Sequence, residues 1–101
     1  MKKLLIVLTF LISVSLLAIA SSDGAALYKR CKSCHGADGS KVPLKVESGV
    51  IKGQSKEELI KKLEGYKAKT YGGAKKRTME GQAKRLSSAD IKALADHISK
   101  F

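Results

Sequence analysis

The sequence predicts an all-α fold, three main helices joined by long loops, on three observations. Apolar residues recur at helical spacing in two segments, 55–66 and 87–100. Each of those segments opens on a serine with an acid three residues later, Ser55 with Glu58 and Ser87 with Asp90, the capping-box pattern. No convincing apolar alternation of the kind that marks a half-buried strand occurs in between. Loops of this length are unusual in a small domain unless they wrap something.

The N-terminal residues fall outside the fold. Lys2 and Lys3 precede an uncharged, largely apolar run, Leu4 to Leu17, and Ala18-Ile19-Ala20 supplies small residues. The run is short for a membrane span, which needs about 20 apolar residues. A secretory leader over 1–20, cleaved after Ala20, is the better reading than an uncleaved anchor, and it places the rest, 21–101, outside the cytoplasm.

Asp23 caps the first helix, whose residues Ala25, Ala26, Leu27 and Tyr28 lead into Cys31-Lys32-Ser33-Cys34-His35 at its C-terminal end. Gly36 and Gly39 stop it, and a loop rich in Gly, Ser and Lys, with the only proline at Pro43, runs to Gln54. The middle helix carries Leu59, Ile60, Leu63 and Tyr66 and nears its end at Gly65. A glycine-bounded region follows, with room for one short helix around Ala74 to Arg77. Ile91, Leu94, Ala95 and Ile98 form the apolar stripe of the last helix.

Composition limits what such a domain can be. The aromatic residues after the leader are Tyr28, Tyr66, Tyr71 and Phe101, and there is no Trp. A domain of roughly 80 residues rarely builds enough core alone and usually needs a cross-link, a metal or a cofactor. Without Lys2 and Lys3 the chain has 18 basic and 9 acidic residues, a formal +9. That charge points to an acidic protein surface or anionic lipid as partner, with encounters that weaken as salt rises. Export and the lack of interleaved aromatics argue against nucleic acid.

Cys31 and Cys34 are the only cysteines. A zinc site would need a fourth ligand, and only His97 remains beyond His35. A disulfide across so small a loop would stabilise little. A reactive dithiol expects a helix N-terminus in a βαβ setting, not the end of a first helix. C-x-x-C-H is the attachment signature of c-type haem. Two thioethers must reach the neighbouring vinyl groups of one macrocycle, and an i, i+3 pair on a helical turn lies on one face. His35 then presents its imidazole to the iron.

An electron-carrying iron needs a sixth ligand. Met79 is the single methionine beyond the leader, flanked by Arg77-Thr78 and Glu80-Gly81 in the glycine-bounded loop. A core-filling Met would sit in an apolar stripe, so this thioether reads as the ligand, one that raises the reduction potential. His97, between Asp96 and Ile98, is the competing ligand and reads better as a half-exposed surface residue.

The stretches DGAALYKRCKSCHGADGSK, KLEGYKAKTYGGAKK and SSADIKALADHISKF, with Met79 between the last two, resemble class I cytochromes c. The resemblance is greatest to the small periplasmic monohaem cytochromes of sulfate-reducing bacteria, and it spans nearly all of 21–101. It implies terminal helices crossing over one covalent haem c, thioether links at Cys31 and Cys34, and axial ligands His35 and Met79. It also suggests Pro43 as the source of a carbonyl for the His35 imidazole, and Tyr66 and Tyr71 as haem or propionate neighbours. Aromatic packing alone is an equal reading of the tyrosines.

The expected protein is a monomeric, non-enzymatic periplasmic electron carrier. Its partners would be acidic docking surfaces of redox proteins, with transient contact to a membrane complex. The donor, the acceptor and the potential are not encoded legibly. An enzymatic or gas-sensing haem protein, with an open sixth site, and an exported thiol oxidoreductase are the rivals.

Overall fold

The computed structural model describes residues 22–43 and 49–101. The expected leader, 1–20, and the loop residues 44–48 lie outside them. The described residues hold five helices and no strand: α1 (Gly24–Tyr28), α2 (Lys32–His35), α3 (Lys56–Ala68), α4 (Lys76–Ala83) and α5 (Ser88–Ser99). The all-α expectation is met. No helix among the described residues is long and apolar enough to cross a membrane.

Asp23 caps α1, its Oδ1 accepting from Ala25 N at 3.0 Å and Ala26 N at 3.4 Å. The single first helix expected from the sequence is divided. Lys29, Arg30 and Cys31 each donate to the carbonyl three residues back, at 3.3, 3.4 and 2.8 Å, a tighter winding than the α-helix. That winding turns the chain before α2, so Cys31 caps a separate helical turn. Gly36, at φ 86°, ends α2 in a conformation that side chains disfavour.

Both capping boxes form. Ser55 and Glu58 close α3, and Ser87 and Asp90 close α5, where the Asp90 carboxylate accepts from Ser87 N at 2.9 Å. As expected, Gly65 lies near the end of α3 without stopping it; the helix runs on to Ala68 with Lys69 in the left-handed region at φ 64°. Gly65 serves a different purpose: a Cβ there would lie 2.6 Å from Cβ of Tyr71, where the chain returns past the helix. The short helix expected at 74–77 lies further along, as α4, and it includes Met79. α4 has no side-chain N-cap, so nothing local announced its start. Packing against α3 supports it instead.

α1 and α3 both pack on α5, which supplies the centre of the core. Ile91 and Ala95 of α5 are fully buried, beside Leu94, Ile98, Tyr28, Leu59, Leu63 and Leu86. α1 crosses α5 at Gly24, where a Cβ would lie 2.2 Å from the Ala93 carbonyl oxygen. Only glycine allows so close a crossing of the first and last helices. His97 is half-buried at this junction, its ring 5.8 Å from Tyr28 and 5.2 Å from Phe101.

Candidate haem-binding site

The site grows out of the turn that α2 makes. Cys34 N and His35 N both donate to the Cys31 carbonyl, at 3.2 and 2.9 Å, which winds Cys31 to His35 into one helical turn. Cys31 is half-buried, Cys34 is exposed and His35 is buried. The two thiols are not joined. Burial pushes the Cys31 thiol up, an effect Arg30 opposes and Cys34 reinforces. A thiol exchanging disulfides needs the opposite, a readily formed thiolate. Cys31 does stand at a helix N-terminus, contrary to the expectation that the pair ends a helix, but α2 has only 4 residues. The partial burial of Cys31, and not its helix position, is what counts against a dithiol.

His35 is held in one tautomer. Its Nδ1 lies 3.0 Å from the Gly49 carbonyl. A carbonyl can only accept, so Nδ1 carries the proton and Nε2 keeps its lone pair. Burial lowers the basicity of the imidazole, and the bond to Gly49 pulls the other way. A neutral ring with a free Nε2 is what a metal ion binds. The sequence pointed to Pro43 for the orienting carbonyl, and the structure gives that contact to Gly49. The loop doubles back, with Ile51 N and Lys52 N donating to the Gly39 carbonyl at 3.0 and 3.1 Å, and this fold-back brings 49 rather than 43 to the ring. No local signal marks such a contact 14 residues away.

Met79 lies on the buried side of α4 and packs against the core cluster, not in a polar loop. Of the polar neighbours that suggested a loop, Arg77 and Thr78 are exposed, while the Glu80 side chain is largely covered. Met79 and Cys31 line one cavity of about 340 Å³, with Leu27, Leu63, Leu86 and Leu94 as apolar walls. Arg30, Arg85 and Asp23 also line it. Sequence reasoning missed Arg30 and Arg85 as site residues. Their clustering with Cys31 in the chain, and across the α4–α5 turn, was the available signal. Tyr66 and Tyr71 are not part of this cavity: they form an edge-to-face pair with ring centroids 5.0 Å apart. Among the described residues no group of His, Cys, Asp and Glu is arranged to hold a bare metal ion.

The donor set therefore suits iron that arrives inside a macrocycle, not a free ion. Met79 and Cys31 line the apolar space, while Cys34 and His35 follow Cys31 in the same helical turn without lining it. One imidazole nitrogen, one thioether and two thiols spaced for vinyl groups are a donor set whose chemistry fits that group. Such a frame defines a small c-type haem protein. The chain belongs to the cytochrome c family, whose profile matches residues 21–101. It is 47% identical to a cytochrome c-553 of Nitratidesulfovibrio vulgaris (strain Miyazaki F), over the full length of both chains. A cytochrome c-553 of Desulfomicrobium norvegicum is 51% identical over 79 residues, covering 77% of this chain and 95% of that one. A cytochrome c-553 of Helicobacter pylori is 38% identical over 97% of this chain and 96% of its own length. The family binds one haem c covalently, and Cys31 and Cys34 carry its spacing. It is a family of haem-containing electron carriers.

Proposed function

We propose that this protein is a periplasmic single-electron carrier with His35 and Met79 as axial ligands. The observation that carries the reading is the shared cavity of Cys31 and Met79, together with the Gly49 bond that leaves His35 Nε2 free. When bound, the haem supplies a one-electron ferric–ferrous couple. The chain's own residues do the rest. His35 stays neutral through burial, Gly49 fixes its tautomer, and the apolar walls keep most water away. Cys34 is exposed beside half-buried Cys31, which supports one edge of the group lying near the surface for electron exchange. Steps of this kind change no substrate bond, so the protein is not an enzyme. The leader proposed at 1–20 delivers the chain to the periplasm, and its positive charge favours acidic surfaces on donor and acceptor.

Absorption spectra of the purified holoprotein test this reading. The expected result is sharp reduced α and β bands, with the weak red band of a methionine–ferric bond on oxidation. Met79→Ala should abolish that red band and let added imidazole or cyanide bind the iron rapidly. A red band that survives the substitution would remove Met79 as ligand. A colourless protein with a titratable dithiol would instead favour the thiol oxidoreductase.

A further inference from the structure

Tyr28 is buried to 4% exposure, yet its hydroxyl is fully used. It donates to the Gly36 carbonyl at 2.6 Å. Gly36 directly follows His35, so this peptide fixes the direction in which the chain leaves the imidazole. The same stretch is tied twice more, by Lys41 N donating to the His35 carbonyl and by Nδ1 donating to Gly49, both at 3.0 Å. Those two restraints come from the loop itself. The Tyr28 hydroxyl brings the restraint from α1.

The Tyr28 ring is in turn clamped by the C-terminal end of the chain. The Phe101 ring meets it edge-on at 4.9 Å, and His97 lies 5.8 Å away at 50°. His97 and Phe101 also meet edge-on, at 5.2 Å. A continuous set of contacts therefore runs from the end of α5, through Tyr28, to the carbonyl of Gly36, the residue that follows His35.

We infer that Tyr28 is a positioning residue: its hydroxyl holds the Gly36 carbonyl, and through it the adjoining His35, where Nδ1 bonds to Gly49, so the packing of α1 on α5 sets how strongly the imidazole donates to iron. The inference rests on the reading of His35 as an iron ligand. A firm Nδ1–H···O=C bond raises the basicity of a ligating histidine and favours the ferric state. Releasing Gly36 lengthens that bond, weakens donation and raises the midpoint potential.

Tyr28→Phe keeps the ring and removes only the hydroxyl, so it is made in the haem-loaded protein. The expected result is a higher midpoint potential and exchange of the His35 ring N–H with solvent faster by about tenfold, the effect of losing roughly one hydrogen bond. Phe101→Leu leaves the hydroxyl but loosens its clamp, and should move both readouts in the same direction by less. It also serves if Tyr28→Phe does not mature. A lower melting temperature with both readouts at wild-type values in these variants overturns the inference. The ferric wild type separates the two levels of the argument by NMR. If its strongly shifted imidazole signals do not belong to His35, the ligand reading falls and this inference with it. If they do belong to His35 and the variants leave them unmoved, only the role of Tyr28 falls.

Discussion

Asp38 shows how much one exposed carboxylate can organise. Its Oδ1 accepts from Ser40 Oγ at 2.6 Å and Ser40 N at 3.1 Å, and its Oδ2 pairs with Lys52 Nζ at 3.1 Å. These bonds lower its pKa from 3.8 to about 2, Ser40 Oγ contributing most and Lys52 next. Because the folded value lies below the unfolded one, the ionised group favours the folded state. The contribution is complete above 3.8 and disappears as pH falls through about 2. Asp38→Asn should therefore melt below wild type near neutral pH, and the two melting curves should converge as the pH approaches 2. Thermal melts across that interval check this, and a constant gap between the proteins would sink it. The pair also joins the two sides of the loop that presents Gly49 to His35, so the same substitution should speed exchange of the His35 ring proton. At this scale the family's C-x-x-C-H pattern over Cys31, Cys34 and His35 was legible because it depends on spacing alone. Gly49 was not, because a backbone carbonyl has no identity in the sequence. Met79 was picked out as the lone thioether, while the loop expected around it proved to be a helix.

The helices show where local signals suffice. Both capping boxes were visible as Ser55 with Glu58 and Ser87 with Asp90, since each is satisfied within four residues. α4 was misplaced because packing on α3, rather than any cap, holds it. The break between α1 and α2 was missed because nothing in the residues from Lys29 to Cys31 announces a tighter winding. Two substitutions test the element-level account. Ser87→Ala removes the acceptor for Asp90 N, a bond of 3.0 Å, and should cost about 1 kcal/mol in denaturant unfolding. Gly24→Ala places a methyl against the Ala93 carbonyl and the His97 side chain, so α1 must lift from α5. Overpacking of that kind costs about 1–3 kcal/mol. Because α1 leads directly to Cys31, Gly24→Ala should also slow covalent loading of the haem, whereas Ser87→Ala should leave it unchanged. Equal maturation yields for the two variants would show that the crossing of α1 and α5 does not guide the site.

The whole molecule is defined by its charge and by where that charge meets the cavity. A formal +9 over 21–101 creates a positive field whose reach is about 8 Å at physiological ionic strength. Arg30 and Arg85 line the same cavity as Cys31 and Met79, so two fixed cations stand beside the expected path of the electron. An anionic reagent should be drawn to that side and a cationic one repelled. Stopped-flow oxidation of the reduced protein by hexacyanoferrate(III) should slow as salt is raised, and reduction of the oxidised protein by hexaammineruthenium(II) should quicken. Reversing both charges, Arg30→Glu with Arg85→Glu, should lower the hexacyanoferrate rate by about tenfold at low salt and leave it near wild type in 1 M salt. If the double variant loses rate equally at low and high salt, the arginines shape the cavity rather than steer partners. Control reversals at Lys61 and Lys92, which are exposed and do not line the cavity, change the net charge by the same amount. They should have a much smaller effect, because screening confines the useful field to the side where the electron leaves. Rate losses of the same size from either pair would mean that overall charge alone attracts partners, with no preferred docking side.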